Sequence, residues 1–320
     1  MAVEFVKEKW QGKINQVTIG ATKEQGGSRT HAVTLGGQQG MAFLSAEGAL
    51  PNRPVVALEI WDAAPAEWPE ELAKQYRDVY GDPLGWAEKC VKTFKAQSLC
   101  VRLQGAHPDF GDKKPEEEAK LITGILKKVG VPLIIIGCGD DDKDNAVLAA
   151  CCEAAKGERC LVGNAVQDNY KTLTAAVLAD GHSIIAESPI DINIAKQLNI
   201  LISDMGLPAE RIVINPTVGA LGYGLEYTYS IMERARLSAL AGDKMMAMPF
   251  ICMVGQESWR AKEARALQKE FPAWGSGAER GIIWEAMTAA ALLQAGADLL
   301  VMRHPAAAAR VCEYIDSLTI

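Results

Sequence analysis

Polar side chains that can form hydrogen bonds or carry protons recur where short apolar segments of the chain end. Amides at such positions are the most informative, because an amide at the end of a buried strand is costly unless its donors and acceptors are paired. Asn164 and Asn215 are both placed in this way. The full set of such residues is Asp62, Gln104, His107, Asp109, Asp140, Asn164, Glu187, Asp191, Asn193, Asn215, Thr217, Gln256, Arg303 and His304.

The two asparagines predict one of two uses. Together with the acidic side chains of Asp62, Glu187 and Asp191, their amides could bind the edge of a flat heterocycle. A pterin or the amide of a corrin would suit such an array. Alternatively, both amides bond the backbone of neighbouring loops. No residue stands out as an acid or base that titrates near neutral pH, so no catalytic residue is predicted.

Two loop motifs resemble ligand sites only in part. The segment GDDDKDN at 139–145 has the acids of a calcium loop, but Asn145 stands where that loop needs glycine and Cys151 where it needs glutamate. It instead predicts a helix N-terminus, where acids favour the positive end of the dipole. The glycines of GALGYG at 219–224 have the spacing GxxGxG and not GxGxxG. They predict a flexible loop that lets backbone approach a partner or a flat ligand.

Histidines and cysteines do not have the spacing of a metal site. The chain has four histidines, and neither HExxH nor HxH occurs. His107 and His304 follow strands, whereas His31 and His182 are expected to be structural. The eight cysteines form no CxxC pair. Most lie in apolar segments such as PFICMV, where cysteine behaves as a small buried hydrophobic residue, and this usage fits a reducing compartment.

Composition excludes several classes of protein. The 320 residues include 33 basic and 40 acidic side chains, a net charge of −7, and only 6% are aromatic. A nucleic-acid-binding surface is therefore not expected. The first residues, MAVEFVKEKW, lack the apolar core of a signal peptide, and the apolar runs are too short or too interrupted to cross a bilayer. These features predict a cytoplasmic protein that binds neither nucleic acid nor membrane.

The elements that must position the polar residues alternate between two patterns. Continuous apolar runs are typical of parallel strands covered on both faces, and helical patterns separate them. The pattern after the second run begins with Pro115 and three glutamates and ends at Gly130, as expected of a helix. The predicted strands span 54–62, 98–105, 132–139, 160–167, 183–189, 211–219, 246–255 and 298–304.

This alternation predicts an α/β fold, a (β/α)₈ TIM barrel, over residues 54–320. An open doubly wound sheet is disfavoured because the turn after the first strand, WDAAPAEWP, contains no glycine. Residues 1–53, with KINQVTIG and RTHAVTLGGQQG, predict an N-terminal extension whose hairpin would plug the barrel bottom. We expect one domain overall. Binding residues of such barrels lie at the C-terminal ends of the strands, so the polar residues should share one rim.

Longer segments carry a resemblance to a known family. The chain resembles the small subunit of the corrinoid iron–sulfur protein of acetyl-CoA synthesis in anaerobes. The similarity extends over nearly the whole chain. The segments that carry it include VVALEIWDAAPAEWPEEL, LQGAHPDFGDKKPEEEA, IIIGCGDDDKDNAVL, the long run from VQDNYKTL to ISDMGLP, INPTVGALGYGLEYTYSIMERARLSAL and ICMVGQESWRAKEA.

The resemblance implies a barrel shaped like pterin-binding methyltransferases that pairs with a large subunit. In that family the large subunit carries a 4Fe–4S cluster and a corrinoid-binding domain. The heterodimer takes a methyl group from methyltetrahydrofolate through a methyltransferase and delivers it to acetyl-CoA synthase. The barrel top would cap a shared cobalamin-type corrinoid, shielding it from water and oxidants. Because neither DxHxxG nor cluster-type cysteine spacing occurs here, we expect no metal ligand from this chain.

The rim formed by the fifth and sixth barrel strands is the predicted corrin-facing surface. It comprises Asp191 and Asn193 of SPIDIN, followed by Asn215, Thr217 and Gly219 of NPTVGALGYG. Short polar side chains and exposed backbone would suit the acetamide fringe of a corrin. Two other functions stay open at this point. One is a methyltetrahydrofolate-dependent methyltransferase that binds its pterin with Asp62, Asn164 and Asn215, and the other is a scaffold without ligand contact.

Overall fold

Eight parallel strands form a closed barrel in the computed structural model, which describes residues 7–319. An antiparallel hairpin of two strands precedes it. The hairpin strands are β1 (Gln16–Ile19) and β2 (Val33–Gly36). The barrel strands are β3 (Val55–Trp61), β4 (Leu99–Arg102), β5 (Leu133–Ile136), β6 (Leu161–Ala165), β7 (Ser183–Glu187), β8 (Ile212–Asn215), β9 (Phe250–Cys252) and β10 (Ala297–Met302). Every predicted strand is confirmed.

The barrel strands pair in chain order, and β10 closes the ring against β3 with Met302 opposite Leu58. The predicted (β/α)₈ barrel is therefore confirmed and the open sheet is excluded. Apolar side chains on both faces explain the continuous apolar runs of the sequence. The outward-pointing Leu58 and Ile60 belong to the core between barrel and helices, whereas Ala57 belongs to the core inside the barrel.

Each barrel strand is followed by one or more helices. They are α1 (Glu70–Ala73), α2 (Pro83–Lys92), α3 (Pro115–Lys128), α4 (Asp141–Ala154), α5 (Tyr170–Asp180), α6 (Ile192–Asp204), α7 (Leu225–Leu240), α8 (Val254–Ser258), α9 (Lys262–Arg265), α10 (Gly277–Gln294) and α11 (Pro305–Leu318). As the sequence predicts, Pro115 occupies the first turn of α3 and the Asp140 side chain caps α4. The acidic run at 139–145 is thus a helix start.

The N-terminal hairpin closes the bottom of the barrel. Val17, Ile19 and Leu35 are fully buried and pack against inward-pointing strand residues such as Ala57 and Cys100. The placement is fixed by backbone bonds, since the amide of Gly20 donates to the carbonyl of Arg159 just before β6. The hairpin therefore seals the N-terminal end with apolar side chains, and the opposite end of the barrel stays open.

The inward-pointing residues change character along the strands. Those near the bottom are apolar and include Cys100, Val213 and Leu299, which belong to the core inside the barrel. Two residues further along β4 and β8, the inward positions hold Arg102 and Asn215. Since side chains of a strand alternate between faces, these polar groups must point into the barrel above the apolar layer.

Candidate functional site

A cavity of about 460 Å³ opens at the C-terminal ends of the barrel strands. Its floor is the polar layer of inward-pointing residues, and loops after the strands form its walls. Tryptophan side chains Trp61, Trp68 and Trp259 contribute flat apolar surface. A volume of this size is typical of sites for small molecules, which span roughly 300–1,000 Å³.

A buried cluster of charged side chains, carried by β3, β4 and the end of β10, forms one part of the cavity floor. The Glu59 carboxylate accepts hydrogen bonds from Arg303 Nε at 2.6 Å and from Arg102 Nε at 2.6 Å. Trp61 Nε1 donates to the same carboxylate at 2.9 Å. Burial by itself would raise the pKa of Glu59, but the charges of Arg303 and Arg102 outweigh it and lower the pKa to about 2. Glu59 is therefore an ionised anchor for two arginines.

Both arginines of the cluster reach the cavity. Arg102 Nη2 donates to Gln256 Oε1 at 2.5 Å, which joins the floor to the wall above β9. The guanidinium of Arg303 lies 5.3 Å from the ring centre of Trp61 and 5.1 Å from that of Trp68. Cation–π contacts of this kind strengthen when water is excluded, so they help to hold the Arg303 guanidinium beside the two tryptophan rings.

Three polar side chains form a second group on the neighbouring strands β6, β7 and β8. Glu187 stands opposite Asn215 in the sheet, and Asn215 Nδ2 donates to Glu187 Oε2 at 2.9 Å. Asn164 lies beside them, and its Oδ1 is buried without a protein partner. Burial raises the pKa of Glu187, while the charge of Arg102 and the amides of Asn215 and Asn164 oppose that rise.

A carboxylate pair anchors the loop after β4. Asp62 is buried and accepts hydrogen bonds from the backbone amide of Gly105 and, at 2.7 Å, from Lys113 Nζ. Glu118 lies behind it on α3 and is buried as well. Its burial and its contact with Asp62 raise the pKa of Glu118 to about 8. This cluster fixes the loop that brings Gln104 to the cavity.

The predicted corrin-facing residues lie at three different places. Asn215 and Thr217 line the cavity mouth, and Thr217 Oγ1 donates to the carbonyl of Ser188. Asp191 and Asn193 lie outside the cavity at the start of α6, where the Asp191 carboxylate caps the helix and Asn193 is exposed. Gly219 is buried in the turn after β8, and its amide donates to Thr228 Oγ1 at 3.1 Å.

The remaining polar residues predicted at the rim are also divided. The structure brings six of them to the cavity, namely Gln104, His107, Asn164, Glu187, Gln256 and Arg303. Asp140 and His304 instead cap α4 and α11, and Asp62 holds the loop after β4. Asp109 follows His107 on that loop and is exposed. Whether a residue lines the cavity or caps a helix depends on the conformation of the local turn, which the strand patterns do not specify.

Sequence reasoning missed the two central members of the ion cluster, Glu59 and Arg102. Both lie inside predicted strands and not at their ends. A signal existed, because each is a charge within an otherwise apolar strand, two residues beyond the inward-pointing Ala57 or Cys100. A charge at such a place is almost never fully buried unless it is paired.

Most cysteine side chains, and that of His182, serve the packing of the described residues. Seven cysteines are buried and Cys312 is exposed. His182 is buried, and its ring bonds the amide of Cys160 and the carbonyl of Cys152, as expected of a structural histidine. Within residues 7–319, no three histidine, cysteine or acidic side chains come together as a metal site.

No helix among residues 7–319 is long and apolar enough to cross a bilayer.

Comparison with known proteins decides the family. A sequence model described as the CO dehydrogenase/acetyl-CoA synthase delta subunit matches residues 16–313. The chain belongs to this delta-subunit family. Its relatives include the acetyl-CoA decarbonylase/synthase complex subunit delta of Archaeoglobus fulgidus, 37% identical over 98% of this chain and 70% of the relative. The protein of that name from Methanocaldococcus jannaschii is also 37% identical, over 98% of this chain and 76% of the relative.

Solved structures of similar shape confirm the barrel fold. The dihydropteroate synthase of Xanthomonas albilineans with 4-aminobenzoic acid has a TM-score of 0.55 at 13% identity, and the match covers 85% of this chain and 95% of that one. The dihydropteroate synthase of Coxiella burnetii with pteroic acid has a TM-score of 0.55 at 12% identity, covering 87% and 97%. At this identity the similarity shows only that this chain shares the fold of these barrels.

Proposed function

We propose that this chain is the small subunit of a heterodimeric corrinoid iron–sulfur protein that carries methyl groups. The heterodimer would take a methyl group from methyltetrahydrofolate through a methyltransferase and pass it to acetyl-CoA synthase. The observation that carries the proposal is the family match over residues 16–313. The names of the relatives, which are delta subunits of an acetyl-CoA decarbonylase/synthase complex, support it.

The metal centres of the proposed heterodimer would be held with the large subunit. The eight cysteines of this chain form no CxxC pair and lack the short spacing that ligates an iron–sulfur cluster. We therefore place the 4Fe–4S cluster on the large subunit and treat this barrel as one half of a shared corrinoid site.

The corrin face in this proposal is the rim after β7 and β8. A corrin has amide side chains around a broad flat ring, so it needs exposed short polar groups next to an open surface. Asn193 is exposed at the start of α6, and Thr217 lines the cavity mouth. Asp191 and Gly219 would shape the backbone of this face. Asp191 fixes the first turn of α6, and Gly219 allows the tight turn after β8. The residues present fit the group.

A bound corrinoid would supply a cobalt centre that accepts and releases a methyl group. The chain's own residues would bind and cover it. Asn193 and Thr217 would hold the edge of the ring, and the surrounding rim would exclude water and oxidants from one face. No residue of this chain needs to transfer a proton in that role, which agrees with the ionised, fully paired state of Glu59.

A methyltetrahydrofolate-dependent methyltransferase is the second candidate, and the cavity itself favours it. Asn164 and Asn215 line the cavity, as a pterin site would require. The third residue predicted for that site, Asp62, is instead occupied by Gly105 and Lys113. Calorimetry with methyltetrahydrofolate on this chain separates the candidates. Micromolar binding would favour the methyltransferase, and heat changes at the level of dilution would favour the carrier subunit.

Methyl transfer tests the carrier proposal. Radiolabelled methyltetrahydrofolate and the methyltransferase are added to the large subunit, with and without this chain. We expect label to accumulate on the heterodimer much faster than on the large subunit by itself. Equal labelling in both samples would contradict a role for the barrel in the corrinoid site and would favour a scaffold.

A further inference from the structure

A second pocket lies at the other end of the barrel, where the N-terminal hairpin meets α7 and β10. At its base is Arg236 of α7, whose side chain is 1% exposed. Its Nη2 donates to the carbonyl of Gly296 at 2.6 Å and contacts the Asp298 carboxylate at 3.3 Å. Within residues 7–319, no group accepts from its Nε or Nη1, so the buried N–H groups on these two nitrogens are left without a partner.

The carboxylate next to Arg236 is occupied by other donors. Asp298 accepts from Gln38 Nε2 at 2.6 Å and from the backbone amide of Phe250 at 2.9 Å, and its contact with Arg236 is the longest of the three. Burial lowers the pKa of Arg236, although the charge of Asp298 opposes the fall. An additional anion beside Nε and Nη1 would therefore stabilise the charged guanidinium.

Gln38, which follows β2, supplies an unused acceptor in the same pocket. Its Nε2 donates to Asp298, whereas its Oε1 is buried and accepts from no group of the described residues 7–319. Gln38 and Arg236 both line the pocket. Buried polar groups are normally paired, and an occupant that pairs both of these side chains has to accept from the arginine and donate to the glutamine.

The size and walls of the pocket restrict what can enter it. Its volume is about 30 Å³. A water molecule needs roughly 10–15 Å³ of such space, so the pocket holds only a few atoms and is too small for a nucleotide or a corrinoid side chain with its ring. Phe43, Leu50 and Pro54 form partly exposed apolar walls, and the exposed Thr319 lies beside them. A small ion can therefore reach Arg236 from solvent.

We propose that this pocket binds a small oxyanion that carries one O–H group, for which bicarbonate is the simplest example. The anion accepts from Nε and Nη1 of Arg236 and donates to Oε1 of Gln38. Formate and chloride accept in the same way but have no hydrogen to donate. Because Gln38 belongs to the N-terminal extension and Arg236 to the barrel, the bound anion joins the two. The site lies at the opposite end of the barrel from the proposed corrin face and is independent of methyl carriage.

Thermal unfolding of the full chain in different anions tests the proposal. Melting temperatures are measured at constant ionic strength in the potassium salts of bicarbonate, formate, chloride and gluconate, the last of which is too large for the pocket. An anion of so few atoms makes few contacts, so we expect a Kd of roughly 0.1–10 mM. At about 50 mM, bicarbonate should raise the melting temperature by about 1–4 °C relative to gluconate, and formate and chloride should raise it less.

Two results would contradict the proposal. Equal melting temperatures in bicarbonate and gluconate would show that the pocket holds water only and would overturn the inference. Rises in formate or chloride as large as that in bicarbonate would overturn the assignment to an anion that carries an O–H group.

Variants separate binding in the pocket from general effects of salt. Arg236→Met removes the donors, and Ala42→Leu fills the pocket from its wall without removing a hydrogen-bonding side chain. The rise in melting temperature with bicarbonate should disappear in both. Arg234→Met on the exposed face of α7 and Ala46→Leu, in the same loop as Ala42, are the matched controls and should keep it. If Arg236→Met does not fold, Ala42→Leu decides, and an undiminished rise in that variant would overturn the inference.

Discussion

The carboxylate of Glu59 on the first barrel strand and the guanidinium of Arg303 after the last strand meet at 2.6 Å across the seam where the barrel closes. Arg102 contacts the same carboxylate from the second strand. One buried acid thus joins residues 59, 102 and 303, which are far apart in the chain. The cavity floor depends on this pairing, because each arginine would otherwise be a buried charge without a partner.

Replacing Glu59 should destabilise the protein strongly. Glu59→Gln keeps the shape but leaves two buried arginines without their counter-charge, and breaking a buried pair in this way costs about 3–5 kcal/mol. Urea unfolding measures the change. Glu226→Gln, the same substitution at an exposed position, should stay within about 0.5 kcal/mol of the unaltered chain. Equal stability of the two variants would show that the cluster does not support the fold.

The same cluster predicts a response to acid. The pKa of Glu59 is about 2 in the folded protein, below its ordinary value of 4.5. A lowered carboxyl pKa gives stability that is fully present above the unfolded value and is lost as pH falls towards the folded one. Unfolding midpoints measured from pH 5 down to about pH 2 should therefore fall more steeply for the unaltered chain than for Glu59→Gln.

Glu118 predicts the opposite dependence on pH. Burial and contact with Asp62 raise its pKa to about 8, so the folded chain holds a proton that the unfolded chain releases above about 4.5. Its contribution to stability is present below the unfolded pKa and is lost as pH rises towards 8. We expect Glu118→Gln to gain stability relative to the unaltered chain between pH 5.5 and 8.5. A constant difference across this range would contradict the shifted pKa.

Gly219 should be intolerant of any side chain. A Cβ there would lie 2.6 Å from the carbonyl oxygen of Tyr223 and 2.7 Å from the carbonyl carbon of Gly224. Gly219→Ala must therefore shift the turn after β8, at a cost of about 1–3 kcal/mol. Gly277→Ala is the matched control, because its nearest neighbour is the flexible end of Arg280 at 3.5 Å. Thermal unfolding of both variants checks the difference.

Substitutions that place a bulky side chain at the rim test the proposed corrin face. Asn215 is buried and bonded to Glu187, so enlarging it would disturb folding as well as binding. Asn193 is exposed, and Asn193→Trp adds bulk without touching the core. In the heterodimer, we expect this variant, and more so the double replacement of Asn193 and Asn215, to lose corrinoid on dialysis. Gln197→Trp, one turn further along α6, should retain it. Unchanged corrinoid retention in Asn193→Trp and in the double variant would contradict the assigned face.

The order of the barrel could be predicted because its strands are continuous apolar runs separated by clear helix signals. Asp140 is an example of such a signal, because an acidic residue directly before a helical pattern commonly caps the helix, as Asp140 caps α4. The cavity floor could not be predicted in the same way. Glu59 and Arg102 interrupt apolar strands, and when both faces of a strand are apolar the sequence does not show which residues point inward. Asp62 was predicted at the rim because it follows a strand. In the structure its carboxylate instead accepts a hydrogen bond from Lys113, a residue of the loop after β4.

Metal analysis combined with a visible spectrum tests the central proposal most directly. The chain is produced by itself and then together with its large subunit under anaerobic conditions. We expect the isolated chain to be colourless, and the co-purified heterodimer to contain cobalt and iron with the absorption of a corrinoid. Failure of the two chains to co-purify, or a heterodimer without cobalt, would contradict the role of this barrel as half of a corrinoid site.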